Sequence, residues 1–191
     1  MSIWTDIQSA LDKGNVVLLP TETVYGIAAR ADRPDAISKI YTIKGRDFDK
    51  PLAVCVRNVE QALGLAVFDK LSLRLAERHW PGSLTLVLNL RETADLDARV
   101  TGKVQGIRTI ALRCPDADWR NSIHTVLALT SANRSGQPDC VDYESARTEL
   151  GDELAAGLKT EAPLSGAPST IIRIDSGKLT VLRQGDLEVM L

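Results

Sequence analysis

Histidine is nearly missing from this chain: only His79 and His124 occur in 191 residues, and neither lies at a metal-ligand spacing. A Ser-His-Asp hydrolase or a zinc enzyme needs better-placed imidazoles, so neither is expected. Cysteine is almost as scarce. Cys55, Cys114 and Cys140 are odd in number, widely spaced and free of any C-x-x-C pair. That argues against a disulfide framework and a structural zinc site, and makes reduced thiols the expectation. Cys55 sits in an apolar, strand-like run and reads as a buried, inert thiol. No stretch approaches the ~18 apolar residues of a membrane span, and the N-terminus lacks the basic and apolar regions of a signal peptide. A cytoplasmic protein with no membrane partner is expected. Three ligand or nucleophile signatures are absent too: G-x-x-x-x-G-K-S/T, G-x-G-x-x-G and G-x-S-x-G. The near miss from Gly151 to Gly157-Leu158-Lys159-Thr160 has the wrong spacing and an intruding leucine.

An excess of positive charge is also missing. Lys plus Arg number 23 against 25 Asp plus Glu, a formal charge of −2. Proteins whose main work is holding nucleic acid usually show a basic face or stripe, so at most a local basic pocket is expected. What is present is ordinary globular material, 44% hydrophobic and 25% charged. The length fits one well-cored domain over 1–191, with no C-terminal accessory domain expected.

Ile3, Ile7, Ala10 and Leu11 recur at helical spacing before Gly14. A strand over Val16–Leu19 follows, then a second over Gly26–Ala31. Pro34 suits the first turn of a helix that Gly45 ends, which puts Lys44 in its last turn. Further strands are read at Leu52–Val56, Leu84–Leu90, Thr109–Leu112 and Val126–Leu129, with helices at Leu71–Trp80 and Ser145–Leu150. Ser169–Ile174 and Leu179–Leu182 form a closing hairpin across Ser176-Gly177. Several connections are too short for helical crossovers, so the sheet of this α/β chain should be mixed.

The first strand runs into Pro20-Thr21-Glu22-Thr23-Val24-Tyr25-Gly26, delivering hydroxyls and a carboxylate to its end, where α/β proteins often bind ligands. Lys44-Gly45-Arg46 sets two cations at a helix end. The dipole alone accounts for that; a polyphosphate gripped by a fork and a point charge is the sharper reading. Ser131-Ala132-Asn133-Arg134-Ser135-Gly136 has the composition of an anion-holding turn, and equally of a plain one. Arg113 and Arg183 each end a strand, and Thr101-Gly102 and Ser165–Thr170 read as small, hydroxyl-rich loops.

Together these segments resemble the YrdC-like family, the threonylcarbamoyl-AMP synthases. The resemblance spans Val16 to Gly185 and rests on nine motifs in the family's order. They are PTETVYG at 20–26, KGR at 44–46, KPL at 50–52, WPGSLT at 80–85, VTG at 100–102, ALRCPD at 111–116, SANRSG at 131–136, PSTI at 168–171 and LRQG at 182–185. Three prolines of the family pattern are replaced, by Asp47, Ser83 and Gln184. Each exchange removes local stiffening from a loop.

The resemblance implies a twisted, largely mixed central sheet with helices on both sides and a basic cavity. It implies condensation of L-threonine, bicarbonate and ATP to threonylcarbamoyl-AMP and pyrophosphate. A separate complex would then transfer the group to tRNA, and weak tRNA binding is a further partner expectation. Lys44 and Arg46 would grip the ATP phosphates, and Ser131, Asn133 and Arg183 would complete the nucleotide site. Thr21, Thr23, Tyr25, Thr101 and Arg113 would shape the threonine and carbamate end, with Thr170 on the lining. Mg²⁺ would be held mainly by ATP phosphates and water. Two other readings stand beside this one: an RNA-binding paralogue without adenylate synthesis, and a carbamoyl-adenylate enzyme of cofactor maturation.

Overall fold

Side-chain alternation in Val16-Val17-Leu18-Leu19 explains the architecture. Val16 and Leu18 enter one apolar cluster, while Val17 and Leu19 enter another on the opposite side. A continuous apolar run of this kind is what a strand covered on both faces requires. The computed structural model describes residues 2–189. Its strands, in chain order, are β1 Val17–Pro20, β2 Tyr25–Arg30, β3 Ala53–Cys55, β4 Ala66–Val67, β5 Leu84–Leu90 and β6 Thr101–Val104. They continue with β7 Ile107–Arg113, β8 Leu127–Ser131, β9 Ala156–Gly157, β10 Thr170–Asp175 and β11 Lys178–Arg183. The helices are α1 Ile3–Asp12, α2 Pro34–Lys44, α3 Val59–Leu65, α4 Lys70–His79, α5 Trp119–Ser122 and α6 Tyr143–Leu150.

The strands make one sheet in the order β11-β10-β5-β7-β3-β8-β2-β1-β9, with β4 on β5 and β6 on β7. Three pairs are parallel, β1 with β9, β10 with β5 and β3 with β7; the others are antiparallel. The sheet is mixed, as the short connections required. Residues of α2, α4 and α6 build one face with Leu86, Leu112 and Ile172. Ile7, Ala10 and Leu11 of α1 and Trp119 of α5 cover part of the other. Helices therefore lie on both sides.

The local signals act as their chemistry dictates. Pro34 opens α2, and Gly45 closes it at φ 59°, a left-handed conformation that costs glycine nothing. Ser176 and Gly177, both at positive φ, turn β10 into β11. Ile3 departs from the helical pattern by being exposed, since α1 turns its buried stripe through Ile7, Ala10 and Leu11. Thr101-Gly102 is strand rather than loop, because Gln105-Gly106 turns β6 back onto β7.

Candidate active site

The cross-strand register decides where a cavity opens. Ile171, Thr85, Arg113 and Cys55 lie opposite one another in turn on β10, β5, β7 and β3. All four therefore leave the same face of the sheet. Ala111 and Ala53, two positions from Arg113 and Cys55 on their strands, share that face and fill little of it. The space above them is a cavity of about 230 Å³. Cys55 and Leu129 line it and also belong to the apolar cluster under α1 and α5, so the cavity starts where that helical cover stops.

Three arginines reach this cavity from distant parts of the chain: Arg46 after α2, Arg113 at the end of β7 and Arg183 at the end of β11. Arg113 Nη2 donates to Glu22 Oε1 and Thr23 Oγ1, both at 2.8 Å. Glu22 Oε2 accepts the backbone N–H of Asp116 at 3.1 Å. Thr21 Oγ1 donates to the Val24 carbonyl at 2.7 Å. Its proton being so used, Thr23 donates across the 2.8 Å Thr21–Thr23 contact and keeps its oxygen free to accept from Arg113. The turn after β1 is thus a cradle for Arg113.

Arg183 Nε and Nη2 donate to the Ser169 carbonyl at 3.1 and 2.8 Å, and Nη2 reaches Ser169 Oγ at 3.2 Å. Ser169 Oγ in turn shares a 2.8 Å hydrogen bond with Thr85 Oγ1. Burial lowers the pKa of Arg183 below the ordinary guanidinium range. Arg46 donates through Nε to the Lys50 carbonyl at 3.0 Å and through Nη2 to the Pro51 carbonyl at 3.3 Å. In each arginine the bonds to protein use Nε or Nη2. Among the described residues Nη1 of Arg46, Arg113 and Arg183 has no protein acceptor. Three oriented but unfinished guanidinium forks lining one cavity suit an anion with several oxygens.

A family pattern described as telomere recombination, that of the Sua5, YciO and YrdC proteins, matches residues 9–185. The chain belongs to the Sua5–YciO–YrdC family. It is 36% identical over 183 residues to the threonylcarbamoyl-AMP synthase of Bacillus subtilis, covering 93% of this chain and 51% of that protein. To the threonylcarbamoyl-AMP synthase of Vibrio parahaemolyticus it is 33% identical over 193 residues, covering 97% of this chain and 100% of that one. The crystal structure of Pyrococcus abyssi Sua5 complexed with L-threonine superposes with a TM-score of 0.87 at 30% identity, covering 97% of this chain. The chain spans about half of the Bacillus and Pyrococcus proteins, 51% and 55%, and the full length of the Vibrio one.

Of the residues singled out in this Sua5–YciO–YrdC sequence, Thr21, Thr23, Arg46, Arg113, Ser131 and Arg183 line the cavity. Five others do not. Lys44 is buried, and its ammonium donates to the carbonyls of Ser131 and Asn133, both at 2.6 Å, and to Asn133 Oδ1 at 3.2 Å. Burial and the neighbouring Arg46 lower its pKa to about 8. Asn133 is folded onto its own loop, its amide N–H on the Gln137 carbonyl. Together they shape the 131–136 turn from behind. Ser135 N–H returns the contact to the Lys44 carbonyl at 2.8 Å, and Arg134 Nη1 reaches the Ile43 carbonyl at 3.1 Å.

Tyr25 and Thr170 fail to line the cavity for a reason of period. Tyr25 belongs with Ile27 and Ala29 to the opposite cluster, and its hydroxyl accepts the Thr160 N–H at 3.0 Å. Thr170 shares the parity of Ile172, whereas Ser169 and Ile171 line the cavity. Its hydroxyl donates to the Leu187 carbonyl at 2.6 Å. Thr101 Oγ1 is spent on the Ala98 carbonyl at 2.8 Å.

Thr85, Ser169, Cys55 and Asp139 also line the cavity and were not among the expected site residues. Ala53 and Ala111, small residues on the cavity face beside the core-facing Val54 and Leu112, are the signal that marks this face. Cys55 is buried as expected, and burial pushes its thiol up to about 12.

The closing strand is held by a close backbone approach. A Cβ on Gly185 would stand 2.1 Å from the Pro168 carbonyl oxygen and 2.6 Å from that of Ser169. Gly185→Ala should therefore displace the Ser169 carbonyl that anchors Arg183, at a cost of about 2–3 kcal/mol. Calorimetry should show Tm falling by roughly 4–12 °C.

Proposed function

We propose that this chain condenses ATP, L-threonine and bicarbonate to threonylcarbamoyl-AMP and pyrophosphate. The observation that carries this is that Arg46, Arg113 and Arg183 line one cavity, each with Nη1 unspent among the described residues. The names of the relatives and the threonine bound to the Pyrococcus protein support it.

The reaction needs no covalent intermediate on the protein. Threonine's amine and bicarbonate give a carbamate, with loss of water. A carbamate oxygen then bonds to the α-phosphorus as the bond from that phosphorus to the bridging oxygen breaks, and pyrophosphate leaves with the electron pair. Positioning and neutralisation of charge supply the acceleration. In this reading Arg46 and Arg183 hold phosphate oxygens beside Ser131, whose hydroxyl donates to Asn133 Oδ1, and Arg113, set by Glu22 and Thr23, orients the carboxylate-bearing end. The Cys55 thiol, at about 12, offers no nucleophile at neutral pH.

Mg²⁺ supplies neutralisation of the polyphosphate when bound. The described residues contain no cluster of three or more His, Cys, Asp or Glu able to cage it. Asp139, a carboxylate on the cavity wall, fits a metal that takes one or two protein carboxylates and fills its shell with phosphates and water.

The product would pass to a separate complex that modifies tRNA, which places the work in the cytoplasm; any contact with tRNA by this chain would be weak. Among the described residues no helix is long and apolar enough to cross a membrane. An RNA backbone needs cations spread along an exposed surface, whereas Arg113 is buried at the cavity and committed to Glu22. Pyrophosphate release should require ATP, threonine and bicarbonate together. Release at the same rate without threonine would overturn the assignment.

A further inference from the structure

One carboxylate in the cavity is out of keeping with the rest of it. Asp139 lines the same space as Arg46, Arg113, Arg183 and Ser131. Glu22, the other acid nearby, is committed at both oxygens to Arg113 and the Asp116 N–H. No hydrogen bond or ion pair to the Asp139 side chain occurs among the described residues. The backbone beside it is anchored: Cys140, its neighbour, is buried, and its carbonyl accepts the Tyr25 N–H at 2.8 Å. The negative charge is felt by Lys44 and Arg183, partly offsetting the burial that lowers both.

For a cavity that takes a triphosphate, an unpaired carboxylate is a cost. Three arginines and Asp139 line the cavity and Glu22 pairs with Arg113 behind it, leaving one net positive charge about the site, less than an ionised triphosphate carries in negative charge. A divalent cation between carboxylate and phosphates removes the repulsion and supplies the missing charge. Mg²⁺ is bound in this way, by one or two carboxylates with substrate phosphates and water. We propose that Asp139 is the protein's ligand to the divalent metal accompanying the nucleotide, directly or through a coordinated water. The proposal rests on the reading of the cavity as an ATP site.

The test is titration of ATP into the full chain by calorimetry, with Mg²⁺ or with chelator, for wild type, Asp139→Asn and Asp139→Glu. Mn²⁺ replaces Mg²⁺ in a parallel series followed by electron paramagnetic resonance. Wild type should bind ATP more tightly with metal than without. Asp139→Asn should lose roughly ten- to a hundredfold in metal-dependent affinity, keep or improve metal-free affinity, and lose the protein-bound Mn²⁺ signal. Asp139→Glu should recover part of both. If Asp139→Asn keeps the wild-type ratio and signal while wild type binds Mg–ATP, this inference alone falls. If wild type binds no ATP in either condition, the ATP site itself falls with it.

Discussion

Arg113→Ala is expected to lower Tm by about 6–12 °C and to cut pyrophosphate release roughly ten- to a hundredfold or more. Arg113 and Glu22 form the most enclosed ion pair to reach the cavity, with side chains 7% and 23% exposed. Removing the arginine strands the Glu22 carboxylate in that setting and leaves Thr23 Oγ1 without its donor. Breaking a buried pair from one side costs about 3–5 kcal/mol, and the residual exposure of Glu22 sets the lower end, about 3 kcal/mol. Glu22→Gln in the Arg113→Met background should return much of the stability, because no stranded charge remains. It should return none of the activity if the guanidinium acts on substrate. Recovery of both would reduce Arg113 to a structural part.

Lys44→Met should cost roughly ten- to a hundredfold in pyrophosphate release while leaving α2 folded. Its ammonium holds three oxygens of the 131–136 turn. Without it, amide hydrogen exchange at 131–135 should accelerate well beyond that of the surrounding strands. Lost activity with wild-type exchange would instead mean that the ammonium reaches the phosphates itself. The pH dependence has a definite sign. With a folded value of about 8 against 10.5 for the free side chain, the amine becomes neutral above pH 8 and keeps two donors for three oxygens. Activity should fall there, and that limb should be absent in Lys44→Met. Stability runs the other way for this group. Between about 8 and 10.5 the unfolded chain binds the extra proton, so this contribution rises with pH.

Local chemistry was the legible part. Pro34 and Gly45 bound α2, Ser176-Gly177 turns the last hairpin, and the apolar run at 16–19 is a strand buried on both faces. The short α3 escaped because only Ala62 is buried in it, too little for a helical stripe. Its Asn58 cap, whose side chain accepts from the Gln61 N–H, was the available sign. The cavity was half legible. Hydroxyls and cations in the right segments named six of its lining residues, but composition does not say which face of a strand a residue takes. Thr170 and Ser169 are adjacent and differ only in that. The backbone role of Lys44 was hidden for another reason: its partners lie 87 and 89 positions away, and a helix-end cation looks the same whether it meets a phosphate or a backbone carbonyl.

The central claim is that Arg46, Arg113 and Arg183 together seat a nucleotide and an amino acid for adenylate formation. Mass spectrometry of the product made with ¹³C-bicarbonate tests it most directly, comparing wild type with Arg46→Ala. Wild type should yield threonylcarbamoyl-AMP carrying the label, and Arg46→Ala roughly ten- to a hundredfold less. No labelled adenylate from wild type, or equal amounts from both proteins, would contradict it.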